Sequence, residues 1–546
     1  MNSWTISVVL IFSLLGWDLC NGSAINRGEE GGESVHLSDE EMHPRPQNSR
    51  KWTRQEDVED AETWFRLGQE GLRKRIEEPR RESKAKNLIM FIGDGMSVST
   101  VTASRIFKGQ REGLLFGEEG QLHMDTFPYV GASKTYCSDW QVADSACSST
   151  AYFTGTKGNA MTIGVKPSVV YRDCESQMNP DHQASSILLW AQNAGMSTGV
   201  VTTTTVTHAS PSGAYAHIAD RNWENDLKIA ESGIDPEFCD DIAEQLVFKQ
   251  PGLGINVILG GGRIHWLPNT TTDIEGMPGK RGDGKDLIST WLGQKWDERA
   301  VHVNGRAQLL ATDLSQVDYL LGLFAPEGIE YADKQLEKDD PTLAEMTAAA
   351  LQILSRNPNG FFLFVEGGRI DQAHHANNAY RAMAETLQFD EAIQLADNRT
   401  EDTDTLIVVS SDHSHLFTIA GDPLRGNDIL DFSGNEDNED GMPFTTLAYI
   451  NGKGYRPAEP FNETTCSRKN ISSDNPLDID YLQVSQVPRG SATHAGEDVL
   501  IFAKGPFAHL FTGVNDQSYI PHAMAFAACI SPFENNFCSS SNKNNK

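Results

Sequence analysis

Short apolar runs alternate with longer amphipathic stretches along the chain from about Trp64 onward. This alternation is typical of a sheet that carries helices on both faces. Runs that are almost entirely apolar predict central parallel strands, since both faces of such strands are covered. They are 88–92, 198–201, 257–259, 361–365, 406–409 and 499–502. We therefore predict an α/β fold with a doubly wound, mostly parallel central sheet.

The two ends of the chain differ from this alternating region. An apolar run at 6–15, followed by small residues, is typical of a signal peptide over residues 1–24, and its length of about ten residues is half of what a bilayer requires. Residues 25–55, rich in Glu, Gly and Pro, predict a flexible acidic arm or pro-segment. Residues 539–546 form a polar tail without the apolar segment of a lipid-anchor signal. We expect a secreted, soluble extracellular protein without a lipid anchor.

The predicted globular domain covers residues 56–538. Within it, residues 418–493 are rich in Gly, Asn, Asp and Pro and predict an insertion at the surface. Glycosylation sequons fit a secreted protein and occur at Asn269, Asn398, Asn462 and Asn470.

The balance of charge excludes some classes of partner. The chain has 45 basic and 76 acidic side chains, a formal net charge of -31. Such a charge repels nucleic acid and anionic membranes, so we expect no nucleic-acid partner. It also repels an anionic substrate, so a phosphate-binding site would need local positive charge from metal ions or arginine.

Three of the predicted strands end at an acidic residue. Glu366 follows the run 361–365 directly, Asp94 follows 88–92 after one glycine, and Asp412 follows 406–409 after two serines. In open parallel sheets, ligands bind beyond the carboxyl ends of the strands. The alternative is that each acid caps the helix that follows it. The histidines attached to these segments favour a binding site.

Histidines and acids together predict metal ligands. Asp371 and His375 are four residues apart and would share one face of a helix, whereas His374 would point elsewhere. Asp412 and His413 adjoin at a strand end. Imidazole with carboxylate suits zinc, and carboxylate with hydroxyl suits magnesium. The segments that hold these residue types are 366–375, 412–415 and 493–496.

Ser145 is the candidate nucleophile. It lies at the start of an apparent helix in the run 142–150, where the ordinary interpretation is a helix N-cap. A zinc-bound serine at a helix N-terminus, however, would be deprotonated and directed at a phosphate.

Six motifs in order resemble those of animal alkaline phosphatases, with insect soluble enzymes the nearest. They are F-I-G-D-G-M from Phe91, D-S-A from Asp144, H-A-S-P-S-G from His208, V-E-G-G-R-I-D from Val365, S-D-H-S-H from Ser411 and T-H-A-G-E-D from Thr493. The resemblance covers roughly residues 55–538. It implies hydrolysis of phosphate monoesters to an alcohol and inorganic phosphate, through a phosphoseryl intermediate, at a site with two zinc ions and one magnesium ion.

The resemblance, carried over residue by residue, implies three ligand sets. They are Asp371, His375 and His494 for one zinc; Asp94, Asp412, His413 and Ser145 for the other; and Asp94, Ser210 and Glu366 for magnesium. Arg221 would bind two phosphate oxygens with its planar guanidinium, beside the attacking Ser145. His208 would lie near magnesium and hold water instead of the ion.

The cysteines match the resemblance in part. It implies the bridges Cys174–Cys239 and Cys529–Cys538. Cys137 and Cys147 flank the nucleophile segment and are candidates for a further bridge, although Cys147 also suits a small buried position. Removal of the signal peptide leaves seven cysteines, so Cys466 is left over.

Two departures from vertebrate-type members concern calcium and the dimer. Asp340 of a peripheral calcium site is retained, but Ala325 stands where those enzymes carry an acid, which leaves this calcium in doubt. Asp422 stands where they place a tyrosine that reaches across the dimer. A homodimer is still expected, because closed symmetric pairs are common.

Two other functions compete with this interpretation. A sulfatase or phosphodiesterase would share the sheet and the two-metal layout, but Ser145 with Arg221 favours monoesters. A binding or storage glycoprotein could keep the fold without turnover. Against it, the sequence retains every ligand that the resemblance implies.

Overall fold

The computed structural model describes residues 61–433, 438, 440–460 and 466–532. The predicted signal peptide, the predicted arm, the polar tail, Asn462 and Cys538 lie outside the described residues, as does the side chain of Cys466. The predicted limits of the domain therefore stay a prediction.

A ten-stranded sheet forms the centre of the molecule, in the order β17-β2-β16-β8-β1-β7-β3-β4-β6-β5. All strands of the structure are β1 Asn87–Gly93, β2 Tyr129–Lys134, β3 Ser197–Thr205, β4 Val257–Gly261, β5 Ala300–Val303, β6 Tyr319–Leu323, β7 Phe361–Gly367, β8 Thr405–Ser411, β9 Ser414–His415, β10 Phe417–Ile419, β11 Leu447–Gly452, β12 Glu459–Pro460, β13 Cys466–Ser467, β14 Ser485–Pro488, β15 His494–Ala495, β16 Val499–Lys504 and β17 Gly513–Asp516.

Fourteen α-helices lie along the described chain. They are α1 Ala61–Glu77, α2 Val98–Arg111, α3 Ser145–Thr154, α4 Cys174–Gln177, α5 Ile187–Asn193, α6 Ala209–Ser212, α7 Asp226–Glu231, α8 Ile242–Phe248, α9 Leu287–Gln294, α10 Arg306–Ala311, α11 Leu343–Leu354, α12 Arg369–His375, α13 Ala379–Arg399 and α14 Tyr519–Ala528. Two large apolar cores cover the two faces of the sheet. The predicted α/β fold with a mostly parallel central sheet is confirmed.

One predicted strand runs in the opposite direction. The run 499–502 was expected to be parallel, but β16 pairs antiparallel with both β8 and β2. Its full apolar character comes from burial within the sheet between these neighbours, and burial on both faces does not depend on strand direction. The prediction of a parallel strand at this position is wrong.

The register of the central strands brings their ends to one level. Gly93 of β1 lies opposite Gly367 of β7 on one side and Ser411 of β8 on the other. Every residue of these three strands is buried. Because the strands are adjacent and parallel, the acids at their carboxyl ends meet at the same edge of the sheet.

The region 418–493 contains small separate sheets. Strand β11 pairs with β10 and β14, and β12 pairs with β13. Among the described residues, no helix has both the length and the apolar content that crossing a membrane requires.

Candidate active site

Asp371 is the centre of the first cluster at this edge. His375, one turn later on α12, brings its Nε2 atom to 3.3 Å from Asp371 Oδ2. His494 Nε2 lies 3.4 Å from Asp371 Oδ1 and 3.1 Å from His375 Nε2. Asp371 and His375 from one helix and His494 from a distant part of the sequence thus direct their ligand atoms to one point.

His415 belongs to the same cluster, although the sequence analysis gave it no role. It pairs with His494 in the short β9–β15 ladder, and its Nε2 lies 3.3 Å from Asp371 Oδ1. The available signal was a second histidine two residues after the predicted ligand His413. His374 points away, as predicted: its ring nitrogens lie near Thr100 Oγ1 and the Tyr449 hydroxyl.

Asp94 is the centre of the second cluster. His413 Nε2 lies 3.5 Å from Asp94 Oδ1 and 3.2 Å from Asp412 Oδ2. Asp412 Oδ1 accepts a hydrogen bond from the Gly95 amide at 2.9 Å. Gly95 has a φ of +66°, and a Cβ atom there would lie only 3.0 Å from Asp371 Oδ1, so this turn needs a glycine to let the first two clusters approach.

A third cluster surrounds Glu366. Ser210 Oγ lies 3.5 Å from Asp94 Oδ2, and Asp94, His208 and Glu366 direct ligand atoms within 4.8 Å of one another. The hydroxyl groups of Thr202 and Thr204 donate to Glu366 Oε2. These threonines at the end of β3 were not singled out from the sequence, since a buried threonine is common in strands.

Ser145 lies between these clusters and Arg221. Its Oγ is 3.2 Å from His413 Nε2 and 3.5 Å from Asp94 Oδ1. It is the first residue of α3, and Asp144 before it is the N-cap, whose carboxylate accepts from the amides of residues 146 and 147. The N-cap interpretation of Ser145 is therefore wrong, and its hydroxyl is left for the site.

Arg221 is held at the same edge. Its Nη1 donates to Asp144 Oδ2 at 3.0 Å, and its Nη2 lies 3.1 Å from His208 Nε2. The three strand-end acids do not cap helices: Ser97 caps α2 and Gly368 precedes α12.

The buried carboxylates of the three clusters lie close together, and their mutual repulsion favours the binding of cations. Burial and the neighbouring carboxylates hold the pKa of Asp94 well above its ordinary value. Burial raises the pKa of Asp412 to about 6 and that of Glu366 to about 7. Burial also opposes ionisation of Asp371, but its three histidine neighbours outweigh burial and lower its pKa. Bound cations would relieve this repulsion.

The donor atoms fit metal ions. Each cluster contains one buried carboxylate oxygen that has no hydrogen-bond partner among the described residues: Asp371 Oδ1, Asp412 Oδ2 and Glu366 Oε1. Buried polar atoms are normally satisfied, so each of these needs another partner. Two clusters combine imidazole with carboxylate, which suits zinc, and the third combines carboxylate with hydroxyl, which suits magnesium.

Comparison with known proteins decides the family. The profile of the alkaline phosphatase family matches residues 85–530. An alkaline phosphatase of Gadus morhua is 47% identical over 454 residues, which cover 82% of this chain and 93% of its own. The membrane-bound alkaline phosphatase of Bombyx mori is 42% identical over 487 residues, which cover 88% and 87%. The chain belongs to the alkaline phosphatase family.

Solved structures agree with this assignment at the level of the fold. The alkaline phosphatase of Thermus thermophilus superposes with a TM-score of 0.56 at 22% identity, covering 83% of this chain and 93% of its own. Similarity to the tissue-nonspecific isozyme of Homo sapiens, 44% identical over 482 residues covering 87% of this chain and 90% of that enzyme, supports phosphomonoesterase activity. The alkaline phosphatase family also implies divalent metal ions.

Two disulfides join pairs of described cysteines in this alkaline phosphatase. Cys174 is bonded to Cys239, as the family resemblance implied, and Cys137 is bonded to Cys147. The predicted partner of Cys529 lies outside the described residues. Asn269, Asn398 and Asn470 have exposed side chains, and their glycosylation stays a prediction.

Only part of the peripheral calcium site of vertebrate-type alkaline phosphatases is retained in this chain. Asp340 is present, and Ala325 offers no carboxylate. The buried guanidinium of Arg263 donates to the carbonyl of Phe324 at 2.7 Å and to Asp273 at 2.6 Å. Burial and the neighbouring Glu275 and Glu330 nevertheless raise the pKa of Asp340 to about 6, and the doubtful calcium site stays a prediction.

Proposed function

We propose that this alkaline phosphatase hydrolyses phosphate monoesters through a phosphoseryl intermediate on Ser145, at a site for two zinc ions and one magnesium ion. The observation that carries the proposal is the position of Ser145 Oγ, within 3.5 Å of both Asp94 and His413 at the first residue of a buried helix. The helix N-terminus favours the anionic phosphate there.

The proposed ligands are the sets that the sequence predicts. Asp371, His375 and His494 would hold one zinc, with His415 beside them. Asp94, Asp412 and His413 would hold the other, and Asp94, Ser210 and Glu366 would hold magnesium. When bound, these ions would lower the pKa values of the serine hydroxyl and of a water molecule and stabilise the departing oxygen.

The reaction proceeds in two displacements on the side chain of Ser145. Its Oγ attacks phosphorus in line, the bond from phosphorus to the alcohol oxygen breaks, and the alcohol leaves with a proton. Water then attacks the phosphoserine, the bond from phosphorus to Oγ breaks, one proton of the water passes to Oγ, and inorganic phosphate leaves. Arg221 would bind two non-reacting phosphate oxygens in both steps, while Asp144 fixes its guanidinium.

Replacing Arg221 with alanine is expected to weaken phosphate binding. Hydrogen bonds to charged groups contribute roughly 1.5 to 3 kcal/mol, which corresponds to an increase of about 10- to 150-fold in the inhibition constant of phosphate. The measurement is competitive inhibition by inorganic phosphate. Arg172→Ala is the matched control, because it removes a guanidinium that pairs with Asp220, next to Arg221 in sequence. An inhibition constant unchanged by Arg221→Ala would leave Arg221 a structural role only.

We further propose that the mature enzyme is a secreted homodimer. The apolar segment 6–15 supports export, and the two disulfides suit an oxidising compartment. Helix α1 buries none of its own residues and exposes Trp64, Phe65, Leu72 and Ile76, an apolar surface that a second copy could cover.

Expression of the full chain in animal cells tests this proposal. We expect activity in the culture medium, carried by a species with twice the mass of one chain when measured by light scattering. Washed membranes and phosphatidylinositol-specific phospholipase provide the control. Activity confined to membranes and released by the phospholipase would contradict secretion, and a monomeric mass would contradict the dimer.

A further inference from the structure

The Cys137–Cys147 disulfide closes a loop that contains the candidate nucleophile Ser145. We call residues 137–147 the nucleophile loop, since they end two residues after Ser145. Both cysteines are buried, whereas the five residues 138–142 are all exposed, Trp140 by 58%. Packing therefore contributes little to holding residues 138–142, whereas Cys137, Ala143, Cys147 and Ala160 form a small apolar cluster at the two ends of the loop. An exposed segment of this kind is free to move unless other bonds restrain it.

One end of the nucleophile loop fixes the phosphate-binding arginine. Asp144 accepts from Arg221 with Oδ2 and from the Met161 amide with Oδ1, at 3.0 Å in each case. The carbonyl of Met161 in turn accepts from the Arg221 amide at 2.9 Å. Met161 has a φ of +67°, a conformation that costs free energy for a residue with a side chain. A displacement of Asp144 would therefore reach both the side chain and the backbone of Arg221.

The same loop also orients a proposed zinc ligand. The carbonyl of Ala143 lies 2.9 Å from His494 Nδ1, on the far side of the ring from the Nε2 atom that faces Asp371. A hydrogen bond to one ring nitrogen fixes the tautomer and the direction of the other. Ala143 is thus placed to hold His494 in its ligating orientation.

The other end of the loop is anchored to the chain that carries Met161. The Ser138 amide and hydroxyl donate to the Gly158 carbonyl, and Asp139 Oδ1 accepts from the Ala160 amide at 2.8 Å. The disulfide joins this anchored end to the first turn of α3. The disulfide thereby restrains both ends of the loop that carries Ser145 and that contacts Arg221 through Asp144 and His494 through Ala143.

We propose that the Cys137–Cys147 disulfide is a positioning crosslink of the active site, beyond any contribution to stability. It keeps the Ser145 hydroxyl, the Arg221 guanidinium and the His494 imidazole at fixed positions relative to one another. This inference rests on the proposed roles of Ser145, Arg221 and His494. Reactions of this kind are sensitive to misplacement, and a shift of about 1 Å can cost about 100-fold in rate.

The test is Cys137→Ala together with Cys147→Ala, since alanine suits both buried positions. At saturating zinc and magnesium, we expect kcat to fall by about tenfold and the inhibition constant of phosphate to rise by a similar factor. These effects correspond to side-chain displacements smaller than the shift of about 1 Å that costs about 100-fold. Phosphoenzyme should still be trapped, because Ser145 is retained. The matched control, Cys174→Ala with Cys239→Ala, removes the other described disulfide and should keep kcat and phosphate inhibition near wild type.

Three outcomes decide the inference. Wild-type kcat and phosphate inhibition in the variant would overturn it. Equal losses in both disulfide variants, in proportion to their melting temperatures, would assign the bridge to stability alone and also overturn it. If the wild type itself yields no phosphoserine, the proposed function fails instead, and the two failures are distinguished.

A second measurement tests the inference if the variant lacking Cys137 and Cys147 does not fold. The protein that lacks Cys174 and Cys239 is folded with the Cys137–Cys147 disulfide intact, and it is then reduced and alkylated. Mass spectrometry measures how much of Cys137 and Cys147 is labelled. Loss of kcat in step with this labelling, at unchanged circular dichroism, supports the crosslink. Full labelling with full activity contradicts it.

Discussion

Ser145→Ala is expected to abolish the phosphorylated enzyme and to lower kcat by about 1,000-fold or more, because it removes the attacking atom. Ser145 Oγ lies within 3.5 Å of His413 and Asp94, and alanine keeps every other side chain of the clusters in place. Alanine is also the best helix former, so α3 should remain intact. Fold and metal content should therefore change little.

Acid quenching with phosphorus-labelled substrate measures this prediction. Label should be trapped on the wild type and not on Ser145→Ala. Ser148→Ala is the matched control: Ser148 lies one turn further along α3, is fully buried, and its Oγ has no hydrogen-bond partner among the described residues. Label retained at wild-type level in Ser145→Ala would remove Ser145 from its proposed role.

Asp94→Asn is expected to lose both activity and bound metal. Asp94 contacts two clusters at once, since Oδ1 faces His413 and Ser145 while Oδ2 faces Ser210. An amide removes one negative charge and one ligand oxygen from the point where two ions would meet. Changes outside the ligand shell already cost 10- to 100-fold in metal affinity, so we expect a loss of about 100-fold or more here.

Metal content after dialysis against a chelator series measures the effect, together with hydrolysis of a chromogenic monoester. Asp390→Asn is the control, because Asp390 is also a buried carboxylate but pairs with Lys108 and the backbone before β2. The control should retain metal. Wild-type metal affinity in Asp94→Asn would mean that Asp94 does not bridge two ions.

The sequence by itself determined the strands and the chemistry at their ends. Continuous apolar runs are stable in the covered interior of a sheet, so the strands β1, β7 and β8 follow from local pattern, although strand direction does not. The positions of Asp94 and Asp412 at strand ends can be predicted from these runs. The placement of Asp371 and His375 on one face of a helix can be predicted from their spacing alone.

Tertiary structure decided which of these segments meet. Strand order, the antiparallel direction of β16 and the β9–β15 ladder are set by pairing between residues far apart in sequence, and local patterns do not encode such pairing. The contact of His415 with Asp371 depends on that ladder. The ring of hydrogen bonds from Asp144 through Met161 to Arg221 also depends on tertiary structure. It joins three backbone segments that come close together only once the chain has folded.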